Sequence, residues 1–158
     1  MSEEIERKFL IRDDSWRDQI ERSMHQLQGY LGSAESCSIR IRISDELASL
    51  NIKSATLGIT RREYDYAIPV DEAREILDQL CIKPIIEKTR HIVRVGDHVW
   101  EIDEFAGDNS GLIVAEVELS SADETFEKPA WAGEEVSDDP RYYNVCLVEH
   151  PYKDWDEG

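Results

Sequence analysis

Glu4, Glu6 and Lys8 stand at every second position of the segment Glu4-Ile5-Glu6-Arg7-Lys8-Phe9. Successive side chains of a β-strand point to opposite faces. A strand here therefore gathers two carboxylates and an ammonium on one face, with Ile5 and Phe9 on the other. The pattern recurs along the chain. Arg40 and Arg42 alternate with Ile39, Ile41 and Ile43, and Lys53 shares a face with Asn51. Arg61, Glu63 and Asp65 oppose Tyr64 and Tyr66, while Lys88 and Arg90 alternate with Thr89 and His91. Glu101 and Asp103 alternate with Trp100 and Ile102, and Glu116 and Glu118 with Ala115, Val117 and Leu119. Carboxylate oxygens hold hard cations such as Mg²⁺ or Mn²⁺. Lysine and arginine hold phosphate oxygens, arginine with two prongs at once. Brought together around one cavity, the two sets suit divalent cations bridging a polyanion, and the matching chemistry is metal-assisted phosphoryl transfer to water.

An antiparallel sheet with one face in water also alternates charged with apolar residues. Such a face mixes Thr, Ser, Gln and Lys, whereas these strands carry doubled Glu or doubled Arg and Lys. Like charges two residues apart repel, so stability alone does not select them. The whole chain has 18 Lys and Arg against 35 Asp and Glu, a formal charge of -17. On the alternating faces the two signs nearly balance, so basic groups are concentrated there. The negative remainder repels nucleic acid and anionic membrane.

The elements that must carry these faces are mostly strands. Alternation predicts strands at about 3–11, 28–32, 36–44, 48–55, 60–68, 86–95, 98–105 and 113–120. Gly96-Asp97-His98 reads as a hairpin turn. Helical spacing of Trp16, Ile20, Met24 and Leu27 predicts a helix from Asp14 to Leu27, capped by Asp13 or Asp14. A second helix is expected from Pro69 to Cys81, with Asp71 as its cap. Ser121 and Glu124 have capping-box spacing and predict a short helix to Phe126, and a last helix is expected within Asp138–Glu149, starting near Pro140. The length and the 41% apolar content fit one folded domain over 1–158, with its core at about 3–151 and an acidic tail. The fold class is α+β, mainly antiparallel β. Cys37, Cys81 and Cys146 have neither disulfide-framework nor zinc spacing, and a cytoplasmic protein with no membrane-spanning segment is expected.

The Glu4-Ile5-Glu6-Arg7-Lys8 segment resembles the ExExK signature of the CYTH superfamily, the triphosphate tunnel metalloenzymes. The resemblance continues through Arg40/Arg42, Lys53, Arg61-Arg62-Glu63-Tyr64-Asp65, Glu87-Lys88-Thr89-Arg90, Glu101-Ile102-Asp103 and Glu116-Val117-Glu118, in order over nearly the whole chain. It implies an eight-stranded antiparallel β-barrel with a charged tunnel and helices packed outside. It assigns Glu4, Glu6, Asp103, Glu116 and Glu118 to Mg²⁺ or Mn²⁺, at two sites. Lys8, Arg40, Arg42, Lys53, Lys88 and Arg90 become contacts to a small anionic triphosphate. Lys8, Arg40 and Arg42, with Arg61, Glu63 and Asp65 along the tunnel, form the catalytic set, and Glu101 supports the metal ligands from behind. The length and Gln28-Gly29-Tyr30-Leu31 look most like the short bacterial members that hydrolyse inorganic triphosphate, with Tyr30 near the substrate. Some relatives carry a lysine near residues 141–145, a place that Arg141 is expected to fill. Thiamine triphosphatase, nucleoside triphosphatase and class IV adenylyl cyclase activities share the tunnel, and a polyphosphate-binding module without turnover is the alternative outside catalysis.

Overall fold

The structure, a computed structural model, describes residues 2–33, 36–54 and 59–155. Among the described residues nine antiparallel strands form one sheet. They are β1 (Ser2–Ile11), β2 (Ile20–Ser33), β3 (Cys37–Ser44), β4 (Leu47–Ser54), β5 (Thr60–Ile68), β6 (Ile86–Val95), β7 (His98–Phe105), β8 (Ile113–Glu118) and β9 (Ala132–Glu135). The order β5-β4-β3-β2-β6-β7-β8-β1 closes on itself because β1 also pairs with β5. On that edge Ser2–Ile5 of β1 lies against β5, and Phe9 and Ile11 lie against β9. The result is an eight-stranded barrel with one short added strand. Closure leaves the strands' hydrogen-bonding groups paired around the ring.

The inward rows change character along the barrel axis. Glu4, Glu6 and Lys8 give way to Leu10 on β1, Arg90 and Lys88 to Ile86 on β6, and Glu101 and Asp103 to Phe105 on β7. On β8, Glu118 and Glu116 give way to Val114. The apolar ends pack together with Leu147 and Val148 of the helix α2 (Asn144–Glu149), which caps that end. The charged stretch is thus a pocket whose floor is apolar. Two other apolar clusters lie outside the barrel. One joins Phe9, Trp100, Val117 and Trp131 to Trp16, which a short 3₁₀ turn at Ser15–Gln19 folds onto the wall. The other seats helix α1 (Val70–Gln79) on Ile41, Ile43 and Ala48. That helix and the turn after it pack tightly on Gly29 of β2, where an added Cβ would come within 2.9 Å of Cys81 Cβ and Leu77 Cδ2.

The expected strands and the helix after Pro69 are present, and the hairpin turn places Gly96 at φ 61, where glycine has no steric penalty. Pro69, without a side-chain bond, caps α1 in place of Asp71. The region expected to be a helix from Asp14 to Leu27 is mostly strand. Strand β2 pairs with β6 along Ile20–Gln28 and with β3 along Gln26–Ser33, so both of its edges are needed to complete the barrel. The helix expected at Ser121–Phe126 is a turn. The Glu124 carboxylate does accept from the Ser120 N–H, but Phe126 packs edge-on against Phe9 and Trp100 and takes the chain away from a helical path. The last helix is split into a 3₁₀ turn at Pro140–Tyr142 and α2. Trp155, assigned by its sequence to the tail, packs edge-on against Tyr142 and Tyr152.

Candidate active site

Register fixes which side chains meet. Across β1 and β8, Glu6 stands opposite Glu118 and Lys8 opposite Glu116, and Glu116 in turn faces Glu101 on β7. On the other side, Tyr30 of β2, Arg40 of β3, Asn51 of β4 and Asp65 of β5 form a row of direct neighbours. These strands enclose a cavity of about 190 Å³. Seven basic side chains line it (Lys8, Arg40, Arg42, Lys53, Arg61, Lys88 and Arg90), together with six glutamates, Glu4, Glu6, Glu63, Glu101, Glu116 and Glu118. In a protein of charge -17 such a balance marks a local concentration of cations.

In the basic wall Lys8, Arg40, Lys88 and Arg90 are buried and Arg42, Lys53 and Arg61 half-buried, and the members differ in what holds them. Lys8 Nζ lies 2.5 Å from Glu116 Oε1 and 3.4 Å from Glu6 Oε1. Burial alone would lower its pKa, but Glu116 and Glu6 outweigh burial and hold the ammonium above its usual range. Arg90 grips Asp103 with Nε at 2.8 Å and Nη2 at 2.9 Å, and Glu101 with Nη1 at 3.0 Å. Arg42 forms no ion pair among the described residues. Burial, reinforced by the guanidinium groups of Arg40 and Arg90, lowers it to about 10. Lys88, 1% exposed, donates to Asp103 Oδ2 at 2.8 Å and to Asn144 Oδ1 at 2.9 Å. Burial lowers it to about 8, with Arg90 adding to the effect against the pull of Asp103. Arg42 and Lys88 are therefore strained cations, and an entering phosphate oxyanion would stabilise both.

The opposite wall crowds carboxylates. Glu118, an exposed residue, is pushed up by partial desolvation and by Glu4, Glu101 and Glu6; burial likewise raises Glu101. Glu101 stands opposite Glu116 with the Arg90 guanidinium reaching both, at 3.0 and 3.7 Å, whereas Glu6 opposite Glu118 is a like-charge pair, which costs stability unless a cation lies between the two. This all-oxygen donor set fits a hard divalent ion. Among the described residues no three acidic, histidine or cysteine side chains already converge on one point, because lysines hold the oxygens. Lys53 Nζ is 3.0 Å from Glu4 Oε2, and Lys8 holds Glu6 and Glu116. A bound cation would take over oxygens now turned to these two ammonium groups.

Most of the expected site residues meet in this cavity, including Tyr30, which is 4% exposed. Three do not. Asp103 lies outside the cavity lining with both oxygens taken by Arg90 and Lys88, which outweigh burial and hold it at about 2. That placement does not suit a metal ligand, which would have to face the cavity. Asp65 points to the same side of the sheet as Glu63 but sits exposed at the barrel rim. Arg141 is exposed, forks Asp139 and stacks on Trp155, so it does not replace a lysine over the cavity. Tyr143, Asn144 and Val145 close that side instead, with the Arg61 guanidinium 5.2 Å from the Tyr143 ring centroid. Glu101, expected behind the ligands, lines the cavity itself. Sequence reading assigned no role to Asn51, Ser38, Gln28 or Asn144. For Asn51, Ser38 and Gln28 the only signal is a polar residue on an inward row, where neutral side chains do not stand out, and Asn144 lies at the start of α2.

A barrel of this topology, with both charged walls on inward rows, can be compared with known proteins. The CYTH domain pattern matches residues 2–143. The chain is 43% identical over 157 residues to an inorganic triphosphatase of Acetivibrio thermocellus, covering 99% of this chain and 100% of that protein. It is 36% identical over 149 residues to an inorganic triphosphatase of Nitrosomonas europaea, covering 92% and 96%. Among solved structures, that of an inorganic triphosphatase aligns with a TM-score of 0.65 at 34% identity, covering 94% of this chain and 95% of that one. With the domain pattern spanning the same strands that carry both walls, the chain belongs to the CYTH domain family.

Proposed function

We propose that the protein hydrolyses inorganic triphosphate to diphosphate and phosphate in this cavity, with a divalent metal ion. One observation carries the reading. Cations without full compensation, the half-buried Arg42 and the buried Lys88, face a crowd of glutamates in a pocket with little apolar wall. A substrate that is all phosphate uses both walls and leaves no organic part to accommodate. The names of the relatives support the same substrate.

In this reading Lys8, Arg40, Arg42, Lys53, Lys88 and Arg90 bind the phosphate chain, with Arg61 and Glu63 beside it. They stabilise the charge that builds up on the terminal phosphoryl group and on the departing diphosphate. Tyr30, buried beside Arg40, limits the width of the pocket. Glu4, Glu6 and Glu118, with Glu116, would hold Mg²⁺ or Mn²⁺, which would supply charge neutralisation and make a water more acidic. Lys8 keeps Glu116 and Glu6 in place and remains protonated through the neutral range. No helix among the described residues is long and apolar enough to cross a membrane, and free thiols at Cys37, Cys81 and Cys146 suit a reducing cytoplasm.

The test is phosphate release from inorganic triphosphate, ATP and thiamine triphosphate, each with Mg²⁺, Mn²⁺ or EDTA. The expected outcome is metal-dependent release that favours inorganic triphosphate. Preference for ATP or thiamine triphosphate would move the assignment to another activity of the family. Tight triphosphate binding without release would make the cavity a binding module.

A further inference from the structure

Asn51 is fully buried, at 0% exposure, beside the basic wall. Its Oδ1 accepts from Arg40 Nε at 3.1 Å and from Arg40 Nη2 at 3.0 Å, a two-pronged grip by a neutral oxygen. Its Nδ2 donates to Asp65 Oδ1 at 2.7 Å. This chain of contacts fixes the amide. Turned over, it would set its donors against the guanidinium and its oxygen against a carboxylate. Asp65 therefore determines which end of Asn51 meets Arg40.

The contrast with Arg90 shows what a neutral partner achieves. The Arg90 guanidinium is held by Asp103 and Glu101, and much of its charge is compensated on the spot. Arg40 forms no ion pair with a carboxylate among the described residues; the Tyr30 hydroxyl, Arg42 and Lys53 also lie near it. It is directed without being neutralised, and its side chain lines the cavity. An aspartate at position 51 would hold the same geometry and cancel the charge.

We infer that Asn51 is a positioning residue for triphosphate hydrolysis: it aims the Arg40 guanidinium at the phosphate while leaving its charge free, and Asp65 on the rim locks the Asn51 amide. The inference rests on the cavity being the triphosphate site. It gives Asp65, which stands outside the cavity, a role that acts through two other side chains.

The test combines steady-state kinetics with a measurement on the free protein. Asn51→Ala keeps the Arg40 charge but releases its direction, so kcat/KM for triphosphate should fall about ten- to hundredfold, mostly through kcat. Asn51→Asp, made together with Asp65→Asn so that two carboxylates do not collide, should raise KM about tenfold or more by neutralising Arg40. Asp65→Asn, which keeps an acceptor for the amide, should lose less than Asp65→Ala. Both rim variants leave the interior untouched, so they remain informative if Asn51→Ala folds poorly. In an Arg40→Ala background, Asn51→Ala and Asp65→Ala should cause no further loss. In ¹⁵N spectra without substrate, the Arg40 Nε–H signal, assigned by its absence in Arg40→Ala, should exchange slowly and should lose that protection in Asn51→Ala. Full additivity with Arg40→Ala, or an unchanged KM in the Asn51→Asp variant, would overturn the inference while leaving triphosphate hydrolysis in place. Absence of triphosphate turnover in the wild type would overturn the functional reading, and the assigned role with it, even if the Nε–H protection is seen.

Discussion

Lys88 sits where burial and substrate binding pull in opposite directions. Its ammonium gives up a proton near pH 8 in the folded protein, against an ordinary value of 10.5. Phosphate binding needs the ammonium, so kcat/KM for triphosphate should fall by about tenfold per pH unit above about 8. Lys88→Arg should move that limb to higher pH. Stability should run the other way. Between about pH 8 and 10.5 the unfolded chain binds the proton that the folded one has lost, so this residue's contribution to stability increases as pH rises through that window. Urea unfolding midpoints across the same range check the sign. Glu116 presents a different case, because its partner Lys8 is also buried and lies 2.5 Å away. Glu116→Gln should lower kcat by about a hundredfold or more, given the charge that the site must organise. It should also cost about 1–3 kcal/mol, since Lys8 loses its best acceptor. Calorimetric unfolding and phosphate release on the same preparation separate the two effects, and wild-type turnover would remove Glu116 from the site.

At the level of elements, the sequence shows its charged strands well and its uncharged one poorly. β1, β3, β6, β7 and β8 each carry doubled charges on an inward row, and alternation alone identifies them. In β2 the inward residues are Met24, Gln26, Gln28 and Tyr30, and its outer face is partly covered by α1. Neither face carries a charge row, so Trp16, Ile20, Met24 and Leu27 read as a helical stripe instead. Alternation also gives the face of a residue but not its depth. Asp65 and Asp103 are on the correct faces, yet one lies at the rim and the other is sealed beneath the lining by Arg90. Depth depends on strand tilt and stagger around the closed barrel, which a single strand's pattern does not contain. The role of Gly29 was likewise hidden, because the contact it permits comes from residues about fifty positions away. Gly29→Ala would set its Cβ 2.8 Å from Ile85 Cδ1 and 2.9 Å from Cys81 Cβ. The expected cost is about 1–3 kcal/mol of overpacking, seen as a fall in Tm of about 3–10 °C. An unchanged Tm would mean that α1 moves away from β2 at little cost.

For the whole molecule, the excess negative charge and the basic pocket act over different distances. A triphosphate approaching from solution meets the field of a chain of charge -17 before it reaches the cations inside. Salt screens the long-range repulsion first, with a Debye length of about 30 Å at about 0.01 M and about 10 Å at about 0.1 M. The association rate should therefore rise across that interval, the opposite of a protein that steers anions by its net charge. Stopped-flow binding in the presence of metal measures it directly, and a rate that falls steadily with salt would show that the mouth's local field dominates. The balance of charge in the cavity could be estimated from the sequence, but its enclosure could not, since that depends on apolar residues at the floor and on α2.

The pairing of β1 with β8 has a consequence for how the protein is made. Lys8 and Glu116 are 108 residues apart, and the same two strands carry Glu4, Glu6 and Glu118. During synthesis the strand bearing Glu4, Glu6 and Lys8 precedes by far β8, which carries the Glu116 that Lys8 pairs with. Contacts so distant in sequence close slowly. Until β8 follows, β1 can pair with β5 along Ser2–Ile5, but its edge facing β8 stays open and Lys8 lacks Glu116. The reaction centre is therefore among the last parts to form, and shortened chains ending before β8 should contain most of the barrel's strands but none of its activity.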